Sequence, residues 1–169
     1  SIAKEKTAEA AQEASWRTSP VSVFVSRKAE RLYVRRANEP IYEGPVTIGD
    51  ADKPIGSFVF TAVADAPGGG GIRWNVVSMY DYSEKMEPIA QPPRRRGDAR
   101  NSTPIPADVA AAKAALDRIA IPRDVVAELS DVVLPGSSLI VSDEAASIET
   151  GKDTDFVLIM SGEPQGALK

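Results

Sequence analysis

The chain has 169 residues with no Cys and no His, and the two zeros remove more functions than any residue present suggests. Without imidazole there is no Ser-His-Asp triad, His-bearing zinc site or histidine base, and without thiols no cysteine nucleophile, disulfide framework or iron–sulfur cluster. Twenty Lys+Arg against 24 Asp+Glu leave a net charge of −4, so no global positive field gathers nucleic acid, and a nucleic-acid partner is not expected.

The length fits one domain at about 100–200 residues each, and no window reaches the roughly 18 apolar residues of a membrane span. No signal peptide is recognisable, but the chain starts at Ser1, which leaves room for an export signal or membrane tether upstream. Residues 1–19 are rich in Ala, Glu and Lys with a thin small-residue stripe. They read as a helical linker that stops before Pro20.

From Val21 the period becomes two, and residues 20–169 read as the domain. Val21, Val23 and Val25 alternate with Ser22, Phe24 and Ser26, and Leu32 and Val34 alternate with Arg31, Tyr33 and Arg35, which predicts a β-hairpin with one solvated face. IYEGPVTIG and GSFVFTAVA follow as strands, Phe58 and Phe60 sharing a face. Gly68 to Gly71 precede the strand IRWNVVSMY, without the helix and Lys-Ser/Thr pair of a phosphate cradle, so a hairpin tip is expected. In that strand Ile72, Trp74 and Val76 share one face, with Arg73, Asn75 and Val77 on the other.

Residues 83–106 hold five of the thirteen prolines and four arginines and read as a long, flexible loop. Arg94, Arg95, Arg96 and Arg100 either grip a carboxylate or phosphate or lie solvated beside Asp98 and Glu87. A short helix follows, apolar at Val109, Ala112 and Leu116. Ile119 and Ile121 alternate briefly before a second helix, PRDVVAELSDVV, with Pro122 in its first turn. Leu134-Pro135-Gly136 ends it, and SSLIVS and DFVLIMS read as two last strands. The loop between them carries Asp143, Glu144 and Glu149 without calcium-loop spacing, so neither metal nor cofactor is expected. The fold class is mainly β: a sandwich or barrel-like sheet with two short helices inserted late and an N-terminal helical linker.

Several of these strings resemble the catalytic domain of L,D-transpeptidases, the YkuD-like family that cross-links bacterial peptidoglycan. The opening strands, with Leu32-Tyr33-Val34, Pro45-Val46-Thr47-Ile48-Gly49 and Lys53-Pro54-Ile55-Gly56-Ser57-Phe58, are similar to the family's first half, Lys53 replacing a Thr. PRDVVAELSDVVLPGSSLIVS is similar to the helix and strand after its nucleophile. Together these cover about half of the chain.

Where the family carries Ser-His-Gly-Cys-Ile-Arg, the matching string is Ala115-Leu116-Asp117-Arg118-Ile119-Ala120. The resemblance thus puts Arg118 at the nucleophile position and Leu116 at the His position. A guanidinium stays protonated and cannot attack a carbonyl. The resemblance implies a non-catalytic L,D-transpeptidase-like domain of the periplasm or cell envelope that binds peptidoglycan or an envelope protein. Its groove residues would be Arg118, Arg73, Trp74, Tyr80, Tyr82 and Arg94 to Arg96. Arg118 either meets a ligand carboxylate or pairs internally with Asp117 or Asp124, and Trp74 is either groove or core. The alternative is a serine-based acyl transferase or hydrolase, with Ser102, Ser137, Ser138 or Ser142 beside Lys113 or Lys152. A scaffold that self-associates through the N-terminal helix is a third reading.

Overall fold

The period-two segments form strands whose order in space departs from their order in the chain. The structure is a computed structural model and describes residues 2–64, 68, 71–80, 105–106, 109–148, 150 and 154–157. Its elements are α1 (Ile2–Arg17), β1 (Val21–Ser26), β2 (Arg31–Arg36), β3 (Glu39–Pro45), β4 (Thr47–Ile48), β5 (Ser57–Ala64), β6 (Ile72–Tyr80), β7 (Ile105–Pro106), α2 (Val109–Asp117), β8 (Ile119–Ala120), α3 (Arg123–Val132) and β9 (Ser138–Ser142). The main sheet runs β3-β2-β1-β9-β5-β6, with the two-residue β7 at its edge, while β4 and β8 form a separate small sheet. Among the described residues no helix is long and apolar enough to cross a membrane.

The mainly β expectation holds, and its barrel-like part is corrected. Strand β9 enters between β1 and β5, parallel to the first and antiparallel to the second, so the sheet is mixed. Among the described residues its margins, β3 and the β6–β7 pair, do not meet, and the sheet stays open. Hairpin logic favours neighbours in sequence; β9 instead satisfies the inner edges of two hairpins at once.

One face of the sheet carries the main core. Val21, Val23, Val25, Leu32, Val34, Phe58, Phe60 and Val141 pack with Ala112 and Ala115 of α2, Val125 of α3, Ile48 of the small sheet and Val46 just before it. The buried stripe of α2 is Ala112 and Ala115, a spacing of three that lets the helix approach closely; Val109, expected on that stripe, is exposed. Pro122 precedes α3 as its cap instead of entering the first turn.

The solvated face expected for the first hairpin is a second correction. Phe24 and Ser26, on the face opposite the helices, are 1% and 0% exposed. The ring of Phe24 lies 5.3 Å from Phe156 and 6.1 Å from Tyr33, and the Ser22 hydroxyl donates to the Asp155 carboxylate at 2.8 Å. Residues 154–157 thus cover this face, at a sequence distance no local pattern reports. They form no strand, and the rest of the expected DFVLIMS strand lies outside the described residues.

Helix α1 is exposed at every described side chain except Trp16. The Arg36 guanidinium lies 4.9 Å from the centre of the indole ring, a cation–π contact that joins the helix to the end of β2. Between β5 and β6, which pair as a hairpin, Gly68 has φ +97° with nothing near the position of an added Cβ.

Candidate functional site

Strands β4 and β8 place Arg118 against the loop that joins β4 to β5. Thr47 pairs with Ala120 and Ile48 with Ile119, so the next residues in line are Gly49 and Arg118. The Gly49 amide donates to the Arg118 carbonyl at 2.7 Å, closing the end of this ladder.

The Arg118 side chain then turns across the loop. Its Nε donates to Gly49 O at 3.0 Å, Nη1 to Pro54 O at 2.7 Å, and Nη2 to Asp50 O at 2.7 Å and Lys53 O at 2.8 Å. A guanidinium has five N–H donors in a rigid plane, so these contacts engage four of them. The loop presents its carbonyls inward through a turn in which Lys53 N donates to Asp50 O at 2.8 Å and Asp50 adopts φ +52°. Asp tolerates that left-handed conformation better than most residues. Arg118 pairs with neither Asp117, which takes Lys113 at 2.9 Å, nor Asp124.

The far side of the same loop is held by a second cation. Because β1 and β9 run parallel with Ser26 opposite Ser142, Arg27 and Asp143 leave the sheet side by side. The Asp143 carboxylate accepts from Arg27 Nε, from Ile55 N at 2.8 Å and from Gly56 N at 3.0 Å, while Arg27 Nη1 donates to Ala51 O at 2.7 Å. Gly56 has φ +89°, a conformation that favours glycine. Residues 49–56 are therefore a braced loop: two arginines take five of its carbonyls and one buried carboxylate takes two of its amides.

Of the other predicted site residues, Arg73, Trp74 and Tyr80 lie on β6. Arg73 and Trp74 are neighbours on β6, and the strand alternation turns Trp74 to the helix-side face, opposite Ala62, and Arg73 to the other, opposite Val63. Both are exposed, so Trp74 is not core. Tyr80 ends β6 opposite Ser57, directly after the braced loop. Leu116 is partly buried against the main core. Tyr82, Arg94, Arg95 and Arg96, with most of the expected 83–106 loop, lie outside the described residues; Ile105–Pro106 forms β7.

Two of the serines named for a rewired site have local tasks. The buried Ser137 hydroxyl oxygen accepts from Val21 N and Leu134 N, both at 3.1 Å, and that of Ser142 accepts from Glu144 N at 3.1 Å. Ser138 pairs opposite Ser22 on the face away from Arg118. Ser102 and Lys152 lie outside the described residues. Lys113 bonds Asp117 and not a serine, and among the described residues no three carboxylates gather as a cation site.

Sequence reasoning named Asp143 only as a loop carboxylate and missed Arg27 and the pair the two form. They are 116 residues apart, and only the parallel β1–β9 register joins them. Comparison with family models, with curated proteins and with solved structures returned no match for this chain.

Proposed function

We propose that this chain is a non-catalytic L,D-transpeptidase-like domain of the bacterial envelope, whose groove is used for binding peptidoglycan or a protein partner. The observation that supports it most is the disposition of Arg118. At the position where the resemblance expects a thiolate, the chain carries a cation with no nucleophilic lone pair, committed to four backbone carbonyls of loop 49–54. Its role there is to hold the loop, and the single N–H left over is a weak basis for gripping a carboxylate, which a free guanidinium takes with two parallel bonds. Recognition then falls to exposed side chains, with the ring of Trp74 offering a flat apolar surface for a sugar ring.

Two assays test this reading. Intact-mass spectrometry after incubation with a carbapenem should give an unmodified chain; a stoichiometric acyl adduct would replace the binding reading with the serine-dependent enzyme. In a pull-down on purified sacculi, the wild type should be retained and Trp74→Ala should lose most of that retention. A wild type that stays in the supernatant would overturn the peptidoglycan form of the reading and leave the protein partner.

A further inference from the structure

The two margins of the main sheet are built differently. On β3 the strand carries Pro40 and Pro45, which remove two backbone donors, and its pairing to β2 is interrupted between Val34 and Arg35. Prolines and bulges are the usual means of making an edge unfit for another strand. On β6 the outer edge is paired, among the described residues, only at Val77 and Ser78, by the two residues of β7. Residues 72–76 contain no proline, and Ile72, Trp74 and Val76 are β-forming.

Their side chains are open as well. Ile72 and Trp74 are 42% and 41% exposed on the helix-side face, and Arg73 and Asn75 are exposed on the other. Arg73 forms no ion pair among the described residues. We infer that the β6 edge at residues 72–76 is a docking site for an extended acidic peptide, which adds as a further strand with apolar residues against Ile72 and Trp74 and a carboxylate against Arg73. An added strand takes its affinity from main-chain hydrogen bonds and its selectivity from alternate side chains. The edge supplies both, with apolar area on one face and, on the other, a cation that no described residue neutralises. This surface shares Trp74 with the proposed groove but uses none of the residues that brace loop 49–56, and its dependence on main-chain donors and on Arg73 separates it from sugar binding at the same ring.

The test uses the full chain carrying Trp16→Phe, which leaves Trp74 as the sole tryptophan of the original two. The probes are the peptide acetyl-Thr-Val-Glu-Val-Glu-Val-Thr-amide, its counterpart with Lys for Glu, and a fully N-methylated version of the first. The Glu peptide should shift Trp74 emission to the blue with saturation and bind roughly threefold to fivefold tighter than the Lys peptide, as expected for one exposed charge pair. The N-methylated peptide, lacking its donors, should not bind. Arg73→Glu, an exposed change that leaves the core intact, should reverse the preference. No saturable shift, equal binding of the N-methylated peptide, or an unchanged preference in Arg73→Glu would overturn the proposal. So would concentration-dependent self-association abolished by Arg73→Glu, which would assign the edge to a second copy.

Discussion

Loop 49–56 is held on one side by Arg118, which meets only carbonyls, and on the other by Asp143, which meets a guanidinium and two amides. Both sides anchor the same eight residues, yet they respond differently to loss of the anchor. The Arg27–Asp143 side chains are 23% and 10% exposed, so neither partner regains full hydration alone. Arg118 is only partly buried, and water can reach the carbonyls it leaves. The difference separates a brace on which the fold depends from one that mainly sets the shape of the loop.

The largest expected effect is on the Asp143 side. Asp143→Ala orphans Arg27 and the amides of Ile55 and Gly56, and should lower stability by about 3–5 kcal/mol in urea unfolding. Exchange protection at those two amides should vanish with it. Arg118→Ala should cost about 1–3 kcal/mol, the range for losing charge-assisted hydrogen bonds near solvent, while Ile55 and Gly56 stay protected. Methylguanidinium at millimolar concentration should restore part of that loss, because the carbonyl cage is shaped for a planar cation; Arg118→Lys should recover less, its ammonium having three donors in no common plane. Equal losses for Asp143→Ala and Arg118→Ala would erase the distinction between the two sides.

A third arginine sharpens the contrast from outside the loop. Arg36 is 8% exposed, its Nε lacks a hydrogen-bond partner, and its guanidinium lies against the Trp16 ring. Trp16→Ala should cost about 0.5–2 kcal/mol in thermal or urea unfolding, the range of a partly desolvated cation–π contact. Proteolysis of α1 should accelerate at the same time. The smallest effect belongs to Lys53→Ala, which removes an exposed pair with Asp50 at 3.6 Å. A change under about 0.5 kcal/mol is expected, since the Lys53 carbonyl that Arg118 uses is untouched.

The strands and helices were legible where a single period ran through the segment. VSVFVS, RLYVRR, SFVFTAVA, IRWNVVSMY and SLIVS each appear as strands, and α1, α2 and α3 lie where the helical patterns fall. The site was legible only in part. Arg118 stood out because the resemblance put it at a nucleophile position, but its partners are main-chain carbonyls, which any sequence possesses and none advertises. Arg73 and Trp74 stood on opposite faces of their strand already in the alternation of the sequence, and the structure keeps them there.

Composition and local period decide, without any contact being known, that cysteine and histidine chemistry are absent and that hairpins dominate. They also place a glycine at Gly136, where the chain needs φ +94° between α3 and β9. The insertion of β9 between β1 and β5, the Arg27–Asp143 pair it creates, and the cover that Phe156 lays over Phe24 belong to tertiary structure alone. The physical reason is range: side-chain period reports one strand's two faces, whereas which strand lies beside it depends on burial summed over the whole chain.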